Sequence, residues 1–190
     1  MTTPLDIVGL CGSLRSGSLN RMALNLAGQV MPTGMALDVV DLRAVPMFDG
    51  DVLAQGFPAP VQALRERIRR ADAVLIATPE YNFSIPGFLK NAIDWVSRGD
   101  DQPFAYKPVA ILSASPGPLG GARVQYDLRK VMQFMNAQVM PKPEIFIGSA
   151  AAKFGPEGQC TDETTRKFVT SQMVALQKWV PAVKALAAAL

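Results

Sequence analysis

The chain has 190 residues, of which 49% are hydrophobic and 18% charged, with a formal net charge of +3 and no histidine. That is enough for one domain with a substantial core, 1–190, and the missing histidine excludes Ser-His-Asp triads, histidine general bases and most zinc sites. The basic residues are dispersed without an aromatic-interleaved stripe, no apolar run reaches membrane-spanning length and no signal-peptide pattern opens the chain. A soluble cytoplasmic protein with neither nucleic acid nor membrane as partner is therefore expected.

The first element is the uncharged run Ile7–Cys11, which reads as a strand buried on both faces. It breaks into Gly12-Ser13-Leu14-Arg15-Ser16-Gly17-Ser18, and a helical pattern follows with Met22, Leu24, Leu26, Ala27 and Val30. Strand, hydroxyl-rich turn and helix have the form of an anion cradle: the first helical turn carries unpaired N–H groups and partial positive charge. Ser13, Ser16 and Ser18 add hydroxyls, and Arg15 adds a full charge. The loop is neither a Walker A loop, lacking Gly-Lys-Ser/Thr, nor the Gly-x-Gly-x-x-Gly dinucleotide fingerprint. Taken alone it is also compatible with an ordinary βα loop.

Met35–Leu42 alternates apolar and polar residues and reads as a second strand, followed by a long Pro/Gly/Asp-rich loop over Arg43–Ala59. Pro60 suits the first turn of a helix whose apolar face is Val61, Leu64 and Ile68. Its arginines, Arg65, Arg67, Arg69 and Arg70, are expected on a solvated face. Ala73–Ala77 is a fully apolar third strand. It runs into Thr78-Pro79-Glu80-Tyr81-Asn82-Phe83-Ser84-Ile85-Pro86-Gly87, where Ser84 is placed to cap the helix ending at Val96. A fourth strand, Val109–Leu112, ends in a Ser/Gly/Pro loop, Ser113–Gly121, and the helix Arg123–Met135 follows. Glu144–Ile147 is a fifth strand, and a helix from Thr161 closes the chain with Thr161 or Asp162 as N-cap and a proline, Pro181, inside it. Cys11 is expected to pack as a small hydrophobe and Cys160 to sit in a polar turn, with no metal or redox pairing.

Alternating strands and helices imply an α/β doubly wound, five-stranded parallel sheet with helices on both faces, in the flavodoxin-like order 2-1-3-4-5. Ligands of such sheets lie outside the carboxyl ends of the strands at the switch between strands one and three. The loops after strands one, three and four are the three unusual ones. Together they suit a flat heteroaromatic mononucleotide, with its phosphate on the first loop, Tyr81 and Phe83 walling its ring, and backbone N–H groups of Pro79–Phe83 and Ser113–Gly117 at its polar edge. Pro116 and Pro118 remove two of those donors.

Three motifs carry a resemblance: Gly12-Ser13-Leu14-Arg15-x-x-Ser18-x-Asn20; Pro79-Glu80-Tyr81-Asn82-x-Ser84-x-Pro86-Gly87-x-Leu89-Lys90-Asn91-Ala92-Ile93-Asp94-Trp95; and Gly120-Gly121-Ala122-Arg123. Across Ile7–Gly148 the chain resembles the NAD(P)H-dependent FMN reductase family, in particular its bacterial quinone and chromate reductase branch. The resemblance implies FMN as cofactor, with its phosphate at Ser13, Arg15, Ser18, Leu19 and Asn20. Its ribityl chain and ring would lie along Pro79, Glu80, Tyr81, Asn82 and Phe83, and its pyrimidine edge near Ser113, Ser115 and Gly117. It further implies NADPH or NADH as reductant and ping-pong hydride transfer through the flavin N5, with no protein acid or base strictly required. The small-molecule acceptor would be a quinone, a free flavin, an azo compound or chromate. A homodimer or homotetramer is implied, with Lys90, Asp94 and Trp95 on an interface helix and Arg123, Tyr126 and Glu144 in contact between subunits. The rival readings are a flavodoxin-type electron carrier, which a pI near 9.0 disfavours, a regulatory flavin binder, and an enzyme acting on another phosphate ligand.

Overall fold

The computed structural model describes residues 4–189. The elements are β1 (Leu5–Cys11), α1 (Leu19–Gln29), β2 (Met35–Val40), the short α2 (Gly50–Leu53), α3 (Ala59–Arg70), β3 (Ala73–Ala77), α4 (Gly87–Val96), β4 (Pro108–Ala114), α5 (Ala122–Phe134), β5 (Gln138–Val139), β6 (Ile145–Ile147) and α6 (Glu163–Ala188). All strand pairs are parallel, in the order β2-β1-β3-β4-β5 with β6 also paired to β4.

The sheet core is built by alternation. Ile7, Ala73, Leu75, Ala110 and Leu112 face α1 and α6, whereas Val8, Leu10, Val74, Ile76, Val109 and Ile111 face α3, α4 and α5. Both faces are covered, so the strands read as continuous apolar runs. Crossover helices of one hand place all βα loops at one sheet edge, and this brings the first, third and fourth loops together.

The expected fifth strand, Glu144–Ile147, is present as β6, and an unexpected two-residue strand, β5, precedes it. β5 pairs with Pro108 and Val109 at the start of β4, and β6 pairs with Leu112, Ser113 and Ala114 at its end. Pro141 and Pro143 lie between them and have no N–H to give a ladder. Two glutamines bracket the gap: Gln172 Nε2 donates to Ile111 O (2.9 Å), and Gln125 Nε2 donates to Ile145 O (2.7 Å). The second strand stops at Val40, two residues before its expected end. The long loop also contains α2, capped by Asp49.

Four further expectations are corrected. Ser84 does not cap α4, whose N-cap is Pro86; it closes the preceding turn instead. Cys160 is buried in the α1/α6 core, bridged to Phe154. Trp95 is completely buried, with its Nε1 donating to Pro46 O (2.8 Å), so it belongs to the core rather than to a face open to a second subunit. Three of the four α3 arginines depart from a solvated stripe: Arg65 is buried, Arg67 pairs with Asp6 and Asp38, and Arg69 with Glu66 and Asp101, while Arg70 is exposed as expected.

Arg65 is 1% exposed. Its Nη1 donates to Val96 O (2.7 Å) and Arg98 O (2.5 Å), its Nη2 meets Asp101, and its guanidinium lies over the Phe57 ring at 4.0 Å. It therefore satisfies the carbonyls that end α4. Arg65→Met should destabilise the fold by about 2–4 kcal/mol, because buried acceptors lose a charged donor; urea unfolding reads this directly.

Asp162 caps α6 by accepting from Thr165 N (2.7 Å). Hydrogen bonds from the Thr165 side chain and backbone hold its carboxyl below the ordinary value of 3.8. A lowered folded value means stabilisation that is complete above the ordinary value and lost as pH falls through the folded one. Asp162→Ala should lower stability at neutral pH and make the acid decline shallower, as followed by thermal unfolding against pH.

Candidate active site

A cavity opens at the carboxyl edge of the sheet, lined by Ser13, Arg15, Ser18, Leu19, Asn20, Pro79, Glu80, Tyr81, Ala114, Ser115 and Pro116. A second depression shares Glu80 and Ser115 with it and continues over Gly117, Pro118, Leu119, Gly121 and Arg123. Together they form one trough across the β1/β3 switch point.

Loop one is shaped by a close approach. A Cβ on Gly12 would stand 2.4 Å from Thr78 Oγ1, and Gly12 N donates to Ala77 O (2.7 Å). Only glycine lets the two strand ends lie this close. Ser18 is the N-cap of α1: its Oγ accepts from Arg21 N (3.2 Å) and also lies 4.0 Å from Cys11 Sγ. Leu19 and Asn20 open the helix with N–H groups that have no intrahelical acceptor, and the first turn carries no acidic residue to mask them. Arg15 is exposed and makes no ion pair among the described residues. Arg43 steadies the loop by donating to Leu14 O (2.8 Å).

Asn20 lines the cavity, but its amide is committed. Its Nδ2 donates to Ala114 O and its Oδ1 accepts from Ala114 N, both at 2.9 Å. This ties the start of α1 to the last residue of β4. Ser113 does not reach the cavity: it is fully buried, with its Oγ donating to Gly120 O (2.6 Å) and accepting from Gln125 Nε2 (2.8 Å). Ser115 lines the trough, but its N–H goes to Ile147 O and its hydroxyl to Gly117 O. Of the backbone donors expected at this edge, Ala114 and Ser115 are thus spent and Pro116 has none. Gly117 keeps an N–H with no acceptor among the described residues.

The third loop is a tight turn. Tyr81 and Ser84 exchange backbone hydrogen bonds (3.0 and 2.9 Å), with Asn82 and Phe83 between them at φ of 50° and 67°. Left-handed conformations at two successive non-glycine residues are costly, and such strain concentrates at functional sites. Tyr81 faces the cavity, though its N–H is used within the turn. Asn82 and Phe83 stand at the rim, outside the lining.

Glu80 lines both halves of the trough, yet its carboxylate is fully engaged. One oxygen accepts from Arg123 N (3.0 Å) and Val124 N (3.3 Å), the second and third amides of α5; the other takes Arg123 Nε (2.6 Å) and Nη2 (2.5 Å). It caps a helix whose own N-cap, Gly121 at φ 78°, has no side chain. Arg123 is therefore tied within the chain, and Glu144 is held by Lys142 and Tyr126, whose hydrogen bonds keep its carboxyl below the ordinary range. Neither contact requires a second subunit. Ala114, Pro116 and the Glu80 cap were missed or misassigned from the sequence. The bare Gly120-Gly121 before α5 was the available signal that its cap must come from elsewhere.

Glu80→Ala should cost about 1–2 kcal/mol by leaving the α5 amides and Arg123 unpaired, and Glu80→Gln about half of that, because an amide oxygen can still accept from the two N–H groups. Chemical denaturation of the pair of variants measures the difference.

The residues fit a phosphate-bearing flat ligand. The helix terminus carries no acid, Arg15 makes no ion pair among the described residues, and the carboxylate in the trough is neutralised by Arg123. Comparison with known proteins agrees. Residues 5–152 match the family model for NADPH-dependent FMN reductase. The chain is 47% identical over 180 residues to an NAD(P)H-dependent FMN reductase of Pseudomonas aeruginosa, covering 95% of this chain and 97% of that one. It is 46% identical over 187 residues to a quinone reductase of Escherichia coli, covering 97% and 100%. Among solved structures, the flavoenzyme NAD(P)H:(acceptor) oxidoreductase FerB from Paracoccus denitrificans superposes with a TM-score of 0.85 at 33% identity, over 93% of this chain and 97% of that one. By cradle, topology and sequence alike, the chain belongs to the NADPH-dependent FMN reductase family.

Proposed function

We propose that this protein is an NAD(P)H-dependent oxidoreductase that holds FMN in the trough at the β1/β3 switch point and reduces small-molecule acceptors, quinones first among them. The observation that carries the reading is the cavity itself, in which the first, third and fourth loops converge on an unmasked helix N-terminus beside a free arginine. FMN, when bound, supplies the two-electron chemistry between the nicotinamide and the acceptor.

The chain's own groups bind and orient. Arg15, the Ser18 hydroxyl and the N–H groups of Leu19 and Asn20 take the phosphate, with Ser13 as a further donor. Pro79, Glu80 and Tyr81 wall one side of the trough, and Ser115, Pro116 and Gly117 the other. Asn20 contributes mainly by fixing Ala114, and with it the approach of the fourth loop. Glu80, spent on Arg123 and the α5 amides, sets the third loop's position. Ser113 supports the fold of the fourth loop rather than touching the ligand. Azo compounds, free flavin and chromate are further candidate acceptors.

A homodimer or homotetramer is part of this proposal. The groove between α4 and α5 is lined by Ile93, Val131, Met135 and Phe134, the last 86% exposed, with Lys90 and Asp94 paired beside it. An apolar face of this kind suits a second copy. Among the described residues no helix is long and apolar enough to cross a membrane, which is compatible with a cytoplasmic enzyme. The carrier reading is disfavoured by the pI of about 9.0 and by the reductase names of its relatives.

The test is an absorption spectrum. Protein loaded with FMN, desalted and mixed anaerobically with NADPH or NADH should retain a flavin spectrum and lose it rapidly. Retained flavin that fails to bleach would make the protein a carrier or a regulatory binder. Arg15→Ala should weaken FMN binding about 10- to 100-fold, the loss of one charge-assisted contact, as read by quenching of flavin fluorescence; unchanged affinity would refute the phosphate assignment.

A further inference from the structure

A cavity of about 180 Å³ lies where the open side of β6 meets the first turns of α6, and none of its lining residues belongs to the trough. Its polar groups fall into two sets. One set is already engaged: Glu144 is held by Lys142 and Tyr126, and Thr165 gives its N–H and its hydroxyl to Asp162. The other set is free, and it consists of donors. Lys153 lines the cavity half-buried and makes no ion pair among the described residues. Asp162, the carboxylate near it, is the one held by Thr165, and Glu163 faces Arg166 outside the lining. The Thr164 hydroxyl has no partner among the described residues. Ile147 O accepts from Ser115 N (3.1 Å), so by the alternation of a parallel ladder Phe146 turns its N–H away from β4, to the open edge.

We propose that this cavity is a second binding site, separate from the flavin trough, for a small carboxylate with a flat apolar body. Lys153 supplies the charge, and the Phe146 N–H and the Thr164 hydroxyl supply directed hydrogen bonds. Phe168, 57% exposed at the cavity, and Ile145 supply the apolar wall. A neutral ligand leaves the lysine unanswered, and a compact inorganic anion gains nothing from the phenyl face. The lysine is also preset. Its N–H donates to Ala150 O (3.0 Å), its carbonyl accepts from Thr161 N (2.9 Å), and Phe154 beside it is buried and bridged to Cys160. A backbone already in place loses little conformational freedom when the ligand arrives. The site stands one strand from the trough, since Ile147 lines it and holds Ser115 of the fourth loop.

Benzoate is the probe, with benzamide and acetate as controls. Benzamide keeps the ring without the charge, and acetate keeps the charge without the ring. In amide NMR spectra of the FMN-loaded protein, benzoate should shift Phe146, Thr164 and Phe168 to saturation and leave the amides of Gly12–Asn20 in place. Each control should bind about tenfold or more weakly, the loss of one charge-assisted contact or of one ring face. Shifts confined to the trough, shifts that never saturate, or equal binding of benzoate and benzamide would overturn the site.

Lys153→Met should weaken benzoate about tenfold or more and leave benzamide unchanged, whereas Phe168→Ser should weaken both. Benzoate affinity unchanged by Lys153→Met would overturn the proposal. The amides remote from the cavity report that each variant is folded. Flavin retention, measured on the same samples, tests the functional reading by itself, and occupancy of this cavity stands or falls without it.

Discussion

The site depends on one side-chain amide. Asn20, 2% exposed, pairs with both polar groups of the Ala114 peptide and so extends the hydrogen bonding of the sheet beyond the last residue of β4. Without that pair, the N–H and C=O of Ala114 at the carboxyl end of β4 would be left buried and unsatisfied, at a cost of about 1–3 kcal/mol for each. With it, the helix terminus and the fourth loop keep a fixed separation. The Gly12–Thr78 approach fixes the remaining side in the same way, by leaving no room for a side chain between β1 and β3. The trough is thus bounded by backbone joined to backbone, and its shape is inherited from the sheet.

The economy of charge around the trough is equally constrained. Arg43 is spent on Asp41 and on Leu14 O, and Arg123 on Glu80. Arg15 remains exposed, next to a helix terminus whose first turn carries no acid. An anion arriving there therefore meets a cation that has no competing partner to surrender, which is the cheapest form of electrostatic recognition. Glu80 would oppose such an anion if it stood free. Its two oxygens instead accept from a guanidinium and two peptide N–H groups, so the negative charge is neutralised where it was placed.

Much of this was legible in the sequence, and what was not has physical reasons. Apolar runs such as Ala73–Ala77 announce a strand covered on both faces, and strand–helix alternation announces the doubly wound sheet; the order 2-1-3-4-5 and the converging loops follow. Residue types also pointed to a cradle, because glycine, serine and arginine ahead of a helix suit an anion, although the loop taken alone is equally an ordinary βα loop until the sheet order places it at the switch point. What a one-dimensional pattern cannot reveal is which donors are already spent. Ser113 and Ser115 look alike in sequence, but one lies inside β4 and bonds Gly120, while the other borders the trough. Arg65 looks like its neighbours on α3, yet it is the one aimed at the carbonyls ending α4. The two-proline gap at Met140–Glu144 hid β5, because a two-residue strand has no period to detect.

The third loop joins local strain to global order. Two successive left-handed residues, neither of them glycine, would relax if the turn were free. They persist because both ends are held. Tyr81 and Ser84 close the turn through their backbones, while Glu80 just before it is fastened to α5 and Phe83 within it rests on Arg123. The fastening runs both ways, since α5 has no cap of its own and takes Glu80 in its place. Loop and helix therefore stabilise each other across 43 residues of sequence. A substitution at either end should be felt at the other, although neither is part of the core that gives the domain its fold.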